Sequence, residues 1–129
     1  MAISGFPTVT GDVLTSSTMN SLVQFDVSTQ TADYTATTND NYQELFVMNK
    51  ATAIAFKIPT DASTNFAIGS VLTVLNIGVG TCTISAVTPG TTTVLSAGAT
   101  AASPTLSQYK SAACIKTAAN TWYVVGAIA

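Results

Sequence analysis

The side chains able to do chemistry are few, and their types already exclude much. The chain contains no histidine and no arginine. Without an imidazole there is no Ser-His-Asp or Cys-His relay to activate a nucleophile. Cys82 and Cys114 are the only cysteines, and they lie far apart in sequence. Two thiolates with no imidazole beside them do not complete a zinc shell, and their spacing is not that of a CxxC redox pair. The expectation is two small buried hydrophobes, with a disulfide open to them only in an oxidising compartment. Carboxylates remain. Two of them can hydrolyse a glycosidic bond, one as acid and one as base or nucleophile. Glu44 is the single glutamate, and Asp33, Asp40 and Asp61 lie in polar, turn-like stretches. Aspartate in such stretches serves the turn by bonding nearby backbone. The reading is therefore non-enzymatic, with no catalytic residue, metal or cofactor assigned. Gly78-Val79-Gly80 is too short for a phosphate loop. It is expected to be a hairpin turn that uses glycine at positive φ.

Three aromatic residues near the C-terminus are the other candidates: Tyr109, Trp122 and Tyr123. An exposed aromatic face can stack on a sugar, whereas aromatics more commonly fill cores. Trp122 and Tyr123 are adjacent in a strand-like run. Successive side chains of a strand take opposite faces, so one of them should enter the core and the other should face outward.

The elements that would position these residues follow from composition and period. The chain has 129 residues, of which 47% are hydrophobic and only 8% charged. An ordinary soluble domain carries roughly 25% charge. Mean hydropathy is +0.43. Such a surface is either solvated by Thr, Ser, Asn and Gln or covered by partners, and large apolar areas are seldom left bare on monomers. The cations are Lys50, Lys57, Lys110 and Lys116, and the net charge is −2. That balance gives no basic footprint for nucleic acid. Residues 1–9 lack the positive n-region of a signal peptide. The most apolar stretch, 66–79, is broken by Ser70, Thr73 and Asn76 and is too short for a membrane helix. Synthesis and assembly in a cytoplasm are expected.

The first 31 residues differ from the rest. Gly5, Phe6, Pro7 and Gly11 punctuate an extended lead. Thr15 or Ser16 can cap a short helix, on which Met19, Leu22 and Val23 fall at i, i+3 and i+4. So short a helix is marginal alone and needs something to dock against. From residue 32 onward short strands are expected. They are Glu44–Asn49, Ala53–Ile58, Ser70–Ile77, Thr81–Val87, Ala113–Thr117 and Thr121–Gly126, with shorter ones near Tyr34 and at Thr93–Leu95. The last two long runs flank Ala118-Ala119-Asn120 and read as a hairpin. This pattern indicates an all-β, antiparallel sandwich.

The order of these units resembles a β-domain that recurs in tail-fibre, tail-spike and other virion proteins of tailed bacteriophages. The matching residues are Met48, Asn49 and Pro59, then Ile68 and Gly69, then Gly78, Gly80, Thr83 and Ile84. Gln108, Tyr109, Ala112, Ile115 and Lys116 follow, and then Trp122 and Gly126. The lead GFPTVTGDVLTSSTMNSLV is similar to the Gly-Asp-x-Leu-Thr opening of phage tail and appendage proteins. The departures are Cys82, Cys114 and the Thr/Ala-rich segment 89–104.

The resemblance implies a jelly-roll-like sandwich over residues 32–129 and an N-terminal anchor over residues 1–31. Phe6, Leu14, Met19, Leu22 and Val23 are the expected anchor or interface residues. The implied function is structural, as a capsid decoration or short head-fibre protein of a virion. The alternative is a tail fibre or appendage subunit that binds host-surface glycans. Implied partners are the major capsid protein, or tail and portal proteins, and further copies in a homotrimer. Neither nucleic acid nor membrane is an expected partner.

Overall fold

The computed structural model describes residues 25–37, 44–98 and 101–128. Among these there is no helix. Ten strands form: β1 (Asp26–Gln30), β2 (Tyr34–Thr35), β3 (Glu44–Met48), β4 (Ile54–Ile58), β5 (Val71–Asn76), β6 (Cys82–Ala86), β7 (Thr93–Leu95), β8 (Thr105–Leu106), β9 (Lys110–Ala118) and β10 (Thr121–Gly126). The short helix expected over residues 15–23 lies outside the described residues. So do Phe6, Leu14, Met19, Leu22 and Val23. Among the described residues the first strand, β1, begins at Asp26.

The strands make a six-stranded sheet of order β1-β3-β5-β9-β10-β7 and a four-stranded sheet of order β2-β4-β6-β8. The chain changes sheet at each step from β1 to β9. Strands β1, β3 and β5 stack in parallel in the larger sheet, and β2, β4 and β6 in the smaller. Each consecutive pair is thus one winding over both layers, and three windings lie on one another. The C-terminal part closes the stack. Strand β8 pairs antiparallel with β6 and β9 antiparallel with β5, while β7 runs parallel to β10.

The fold is all-β as expected, and both sheets are mixed: the antiparallel pairing expected of the sandwich is found at β5–β9, β9–β10 and β6–β8, with the remaining ladders parallel. A jelly roll is two antiparallel Greek keys, and these ladders do not describe one. Period-2 alternation specifies which face of a strand is buried. It carries no information on the direction of the neighbour.

The corners between layers explain how parallel windings fit so closely. Ile77 N–H donates to Met48 O at 2.9 Å, and Gly80 N–H donates to Lys50 O at 3.0 Å. A Cβ on Gly78 would lie 2.3 Å from Lys50 O, and one on Gly80 would lie 1.9 Å from Thr52 O. Only glycine lets one corner sit so near the backbone of the corner beneath it. The expected hairpin turn is therefore a crossing between sheets. Its glycines serve close approach, since positive φ occurs instead at Gly69, Gly98 and Gly126. Asn76, fully buried, ties the corner together. Its Nδ2 donates to Gly80 O at 2.8 Å and Leu106 O at 2.9 Å, and its Oδ1 accepts from Gly78 N–H at 3.1 Å. A buried amide with both donors and its acceptor engaged carries little desolvation cost.

The core lies between the layers. Phe46 and Met48 of β3, Leu72 and Val74 of β5, and Trp122 and Val124 of β10 point in from the larger sheet. Ile54, Phe56 and Ile58 of β4, with Cys82 and Ile84 of β6, meet them from the smaller. Phe46 and Phe56 meet across the layers with centroids 4.9 Å apart and ring planes tilted by 50°. Phe66 meets Trp122 edge-on at 5.6 Å. Each such ring contributes on the order of 2 kcal/mol by burial. The β9–β10 hairpin turns at Ala119-Asn120, where Asn120 takes φ +49°, a conformation asparagine tolerates.

Candidate functional site

The two layers differ on their outward faces. On the smaller sheet the outward positions are Thr35, Ala55, Lys57, Thr83, Ser85 and Thr105. Hydroxyls and a lysine solvate that face. On the larger sheet three rows of side chains run across the strands. One is Val27, Leu45, Thr73, Ala113 and Val125. A second is Thr29, Val47, Leu75 and Ser111. The third is Val71, Ile115, Tyr123 and Leu95. No ionisable carboxylate or ammonium stands among them. Val27 is 60% exposed, Val71 47% and Val125 51%. The sequence signal for this face was present in β5, β9 and β10, whose outward residues are as apolar as their inward ones. A period-2 reading looks for the face that is buried and passes over the other.

The aromatic candidates do not gather. Trp122 is buried, at 1% exposure, and Tyr123 is 43% exposed on the outward face, so the adjacent pair divides as the strand period requires. Tyr109 is 75% exposed and precedes β9 by one residue, whereas Tyr123 stands opposite Ile115. Six residues of extended chain separate the two positions by roughly 20 Å. Tyr109 holds φ +65°, with its N–H donating to Asn76 O at 2.6 Å. A bulky residue in the left-handed region is strained and persists only where its surroundings hold it there.

An open depression of about 560 Å³ is lined by Asp61, Asn65, Phe66, Ala67, Ile68, Lys116 and Ala119. Its floor is ionic. Lys116 lies on the inward face of β9, two residues from Cys114, and is 1% exposed. Its Nζ donates to Asp61 Oδ1 at 2.8 Å, Asn65 Oδ1 at 3.1 Å and Phe66 O at 2.6 Å. An ammonium has three donors, so the cation is saturated by the protein. Asp61 Oδ2 also accepts from Asn120 N–H at 2.9 Å, and Asp61 N–H donates to Asn120 Oδ1 at 2.9 Å. Burial alone would raise the Asp61 pKa. The Lys116 hydrogen bond, the Asn120 N–H and the Lys116 charge outweigh it and hold the carboxyl below its ordinary value. The cluster clamps the β4–β5 connection onto the β9–β10 hairpin. Sequence reasoning placed Asp61 in a turn but did not find its partner. The signal for Lys116 was its parity with Ala112 and Cys114, which marks it as inward-facing.

Cys82 and Cys114 are both buried free thiols. Burial pushes Cys82 up to about 11, against a lowering hydrogen bond from the Phe56 backbone and a further rise from Asp33. Burial pushes Cys114 up to about 12. Thiols held this far from the thiolate are inert packing groups at neutral pH. Among the described residues, no three or more of His, Cys, Asp and Glu gather as a metal site, and no helix is long and apolar enough to cross a membrane.

Comparison with protein-family models, with curated proteins and with solved structures finds no match.

Proposed function

We propose that the chain is a structural component of a bacteriophage particle, a capsid decoration or short head-fibre protein. In this reading the β-domain is a rigid block that packs against particle proteins and against further copies of itself in a homotrimer. Residues 1–31, with Phe6, Leu14, Met19, Leu22 and Val23, attach it to the major capsid protein or to tail or portal proteins. Assembly takes place in the host bacterial cytoplasm. The observation that carries the reading is the uncharged outward face of the larger sheet. It suits a chain whose task is to be packed, while the buried Lys116–Asp61 pair serves the fold. The test is mass spectrometry of purified particles, followed by imaging of particles that carry a tagged copy. Stoichiometric recovery with density on the particle surface is expected. Absence from purified particles refutes the proposal. A second expected result is that deletion of residues 1–24 abolishes incorporation, and a truncated chain that still incorporates refutes the anchor.

Tyr109 favours a second reading, in which the chain is a tail-fibre or appendage subunit that touches host glycans. An aromatic ring three-quarters exposed on a strained backbone can stack on a sugar face. A glycan array separates the two readings. Binding lost in Tyr109→Ala supports the second, and an array without hits removes it.

A further inference from the structure

We propose that the outward face of the larger sheet is a self-association surface, covered in solution by the same face of a further copy of this chain. The inference rests on the self-packing part of the function proposed above and is independent of where on a particle the chain sits.

Three observations choose this occupant. The first is charge. The four lysines and the four described carboxylates, Asp26, Asp33, Glu44 and Asp61, all lie elsewhere, including Lys57 on the opposite layer and Lys116 and Asp61 in their clamp. A partner bringing charge to this face would leave it desolvated and unpaired, which costs several kcal/mol per ion. A face with no charge of its own imposes no such cost on its copy. The second is shape. Sheets twist with a fixed hand, and two sheets pack face to face when their twists match, with strands inclined by about 30°. An identical sheet meets that condition by construction. The third is area. Six strands at a spacing of about 4.8 Å, each about 20 Å long, give a face of roughly 500 Å². Two such faces supply the roughly 1,000 Å² of total burial that a specific interface needs, before side-chain relief is added.

The face is mainly apolar with hydroxyls interspersed. Val71, Ile115, Tyr123 and Leu95 stand in one row and Val27, Leu45, Ala113 and Val125 in the next, where Thr73 lies between Leu45 and Ala113; Thr29, Ser111 and Thr93 add further hydroxyls near strand ends. Depletion of charge with aliphatic and aromatic side chains is the composition of an interface core. Tyr123 is the residue type enriched among its energetic anchors.

The experiment uses the full chain and two single variants, Val125→Lys and Val71→Glu, with Val125→Thr as a neutral control. Both positions are half-exposed in the single chain, so circular dichroism and melting report an intact fold in each variant. Light scattering coupled to size exclusion should find the wild type as a dimer, the closed form of a same-face contact. Each charged variant should dissociate at least a hundredfold more readily, and Val125→Thr should stay assembled. A wild-type chain that remains monomeric at roughly 100 µM overturns the proposal. So does a charged variant that assembles as the wild type does. If the wild type is monomeric and the charged variants instead fail to enter particles, a different particle protein covers this face. That outcome overturns self-association while leaving the structural role standing.

Discussion

Removing Asp61 should cost far more stability than removing the lysine it faces. Lys116 is an ammonium almost wholly out of water, while the Asp61 side chain is 19% exposed at the edge of the depression. Asp61→Ala leaves the cation buried with two neutral acceptors and no counter-charge. It also takes away the acceptor for Asn120 N–H. Breaking a buried pair from one side costs about 3–5 kcal/mol. Water reaching the carboxylate edge places this case near the lower end, at about 3 kcal/mol. For a domain of this size that lowers the melting temperature by about 10 °C. Lys116→Met keeps the volume and the apolar stem and removes the charge. Asp61 then still accepts from Asn120 and turns to solvent, so the cost is about 1 kcal/mol, mainly for Phe66 O left without its donor. Denaturant titration of the two variants and their double mutant measures the difference. The double mutant should lie close to Lys116→Met alone. If Lys116→Met proves as damaging as Asp61→Ala, the clamp acts by shape and hydrogen-bond count, and the buried-charge reasoning is refuted.

The same pair supplies a pH dependence. The Asp61 pKa is lower in the folded chain, so its contribution is present above the ordinary aspartate value of about 3.9 and is lost as the pH falls through the folded value. Asp61→Asn should flatten that part of the acid unfolding curve measured by circular dichroism. The glycines separate three kinds of constraint, to be read by thermal melts. Gly80→Ala places a methyl on Thr52 backbone and should lower stability by more than about 3 kcal/mol or prevent folding. Gly69→Ala has open space but φ +95° and should cost about 1 kcal/mol. Gly90→Ala, with open space and no positive φ, should be neutral or slightly stabilising. Trp122 Nε1 is buried without a hydrogen-bond partner, so Trp122→Phe should cost less than about 2 kcal/mol, its cavity offset by the relieved N–H. Native Cys82 and Cys114 should resist iodoacetamide at pH 8, where about one thiol in a thousand or fewer is ionised. Both should react at once in denaturant, and native modification counted by mass would refute their burial.

Strand positions were legible in the sequence because alternation is a local property. Thr81–Val87 and Ala53–Ile58 alternate in composition, and β6 and β4 fall within them. Trp122 and Tyr123 divide between core and surface for the same reason. Two strands escaped notice. Strand β1 (DVSTQ) has Asp26, Ser28 and Gln30 inward and Val27 and Thr29 outward, so its one apolar residue faces away from the core, and β8 is two residues long. Pairing direction was not legible, since it depends on where the chain goes at each corner. Gly78 and Gly80 mark such a corner, but a glycine in sequence does not say whether it supplies an unusual φ or clears space for another backbone. The ionic clamp was half legible. Lys116 sits at an inward parity, but its partner lies 55 positions away, and no local pattern connects them.

The reversed polarity of β1 bears on how this protein can assemble. An edge strand offers unpaired backbone to any passing strand, and natural sheets blunt that with inward-pointing polar or charged residues. Asp26, Ser28 and Gln30 all face inward on β1, the edge strand of the larger sheet among the described residues, and Gln30 Nε2 donates to Ser28 Oγ at 2.8 Å. Another apolar winding laid on β1 would bury those groups against hydrocarbon. Continuation of the stack into a fibre is thereby disfavoured in the same molecule that leaves its broad sheet face apolar. Edge-to-edge growth has no natural end, whereas face-to-face contact between copies closes on itself by symmetry. On the proposed self-association, the polar groups on β1 and the apolar groups across β1, β3, β5, β9 and β10 would favour a small closed oligomer over a fibre. Exchanging the two sets in β1 should convert it to open-ended aggregates visible by electron microscopy. A Ser28→Val, Gln30→Val chain that stays as soluble and as small as the wild type would contradict this account of the edge.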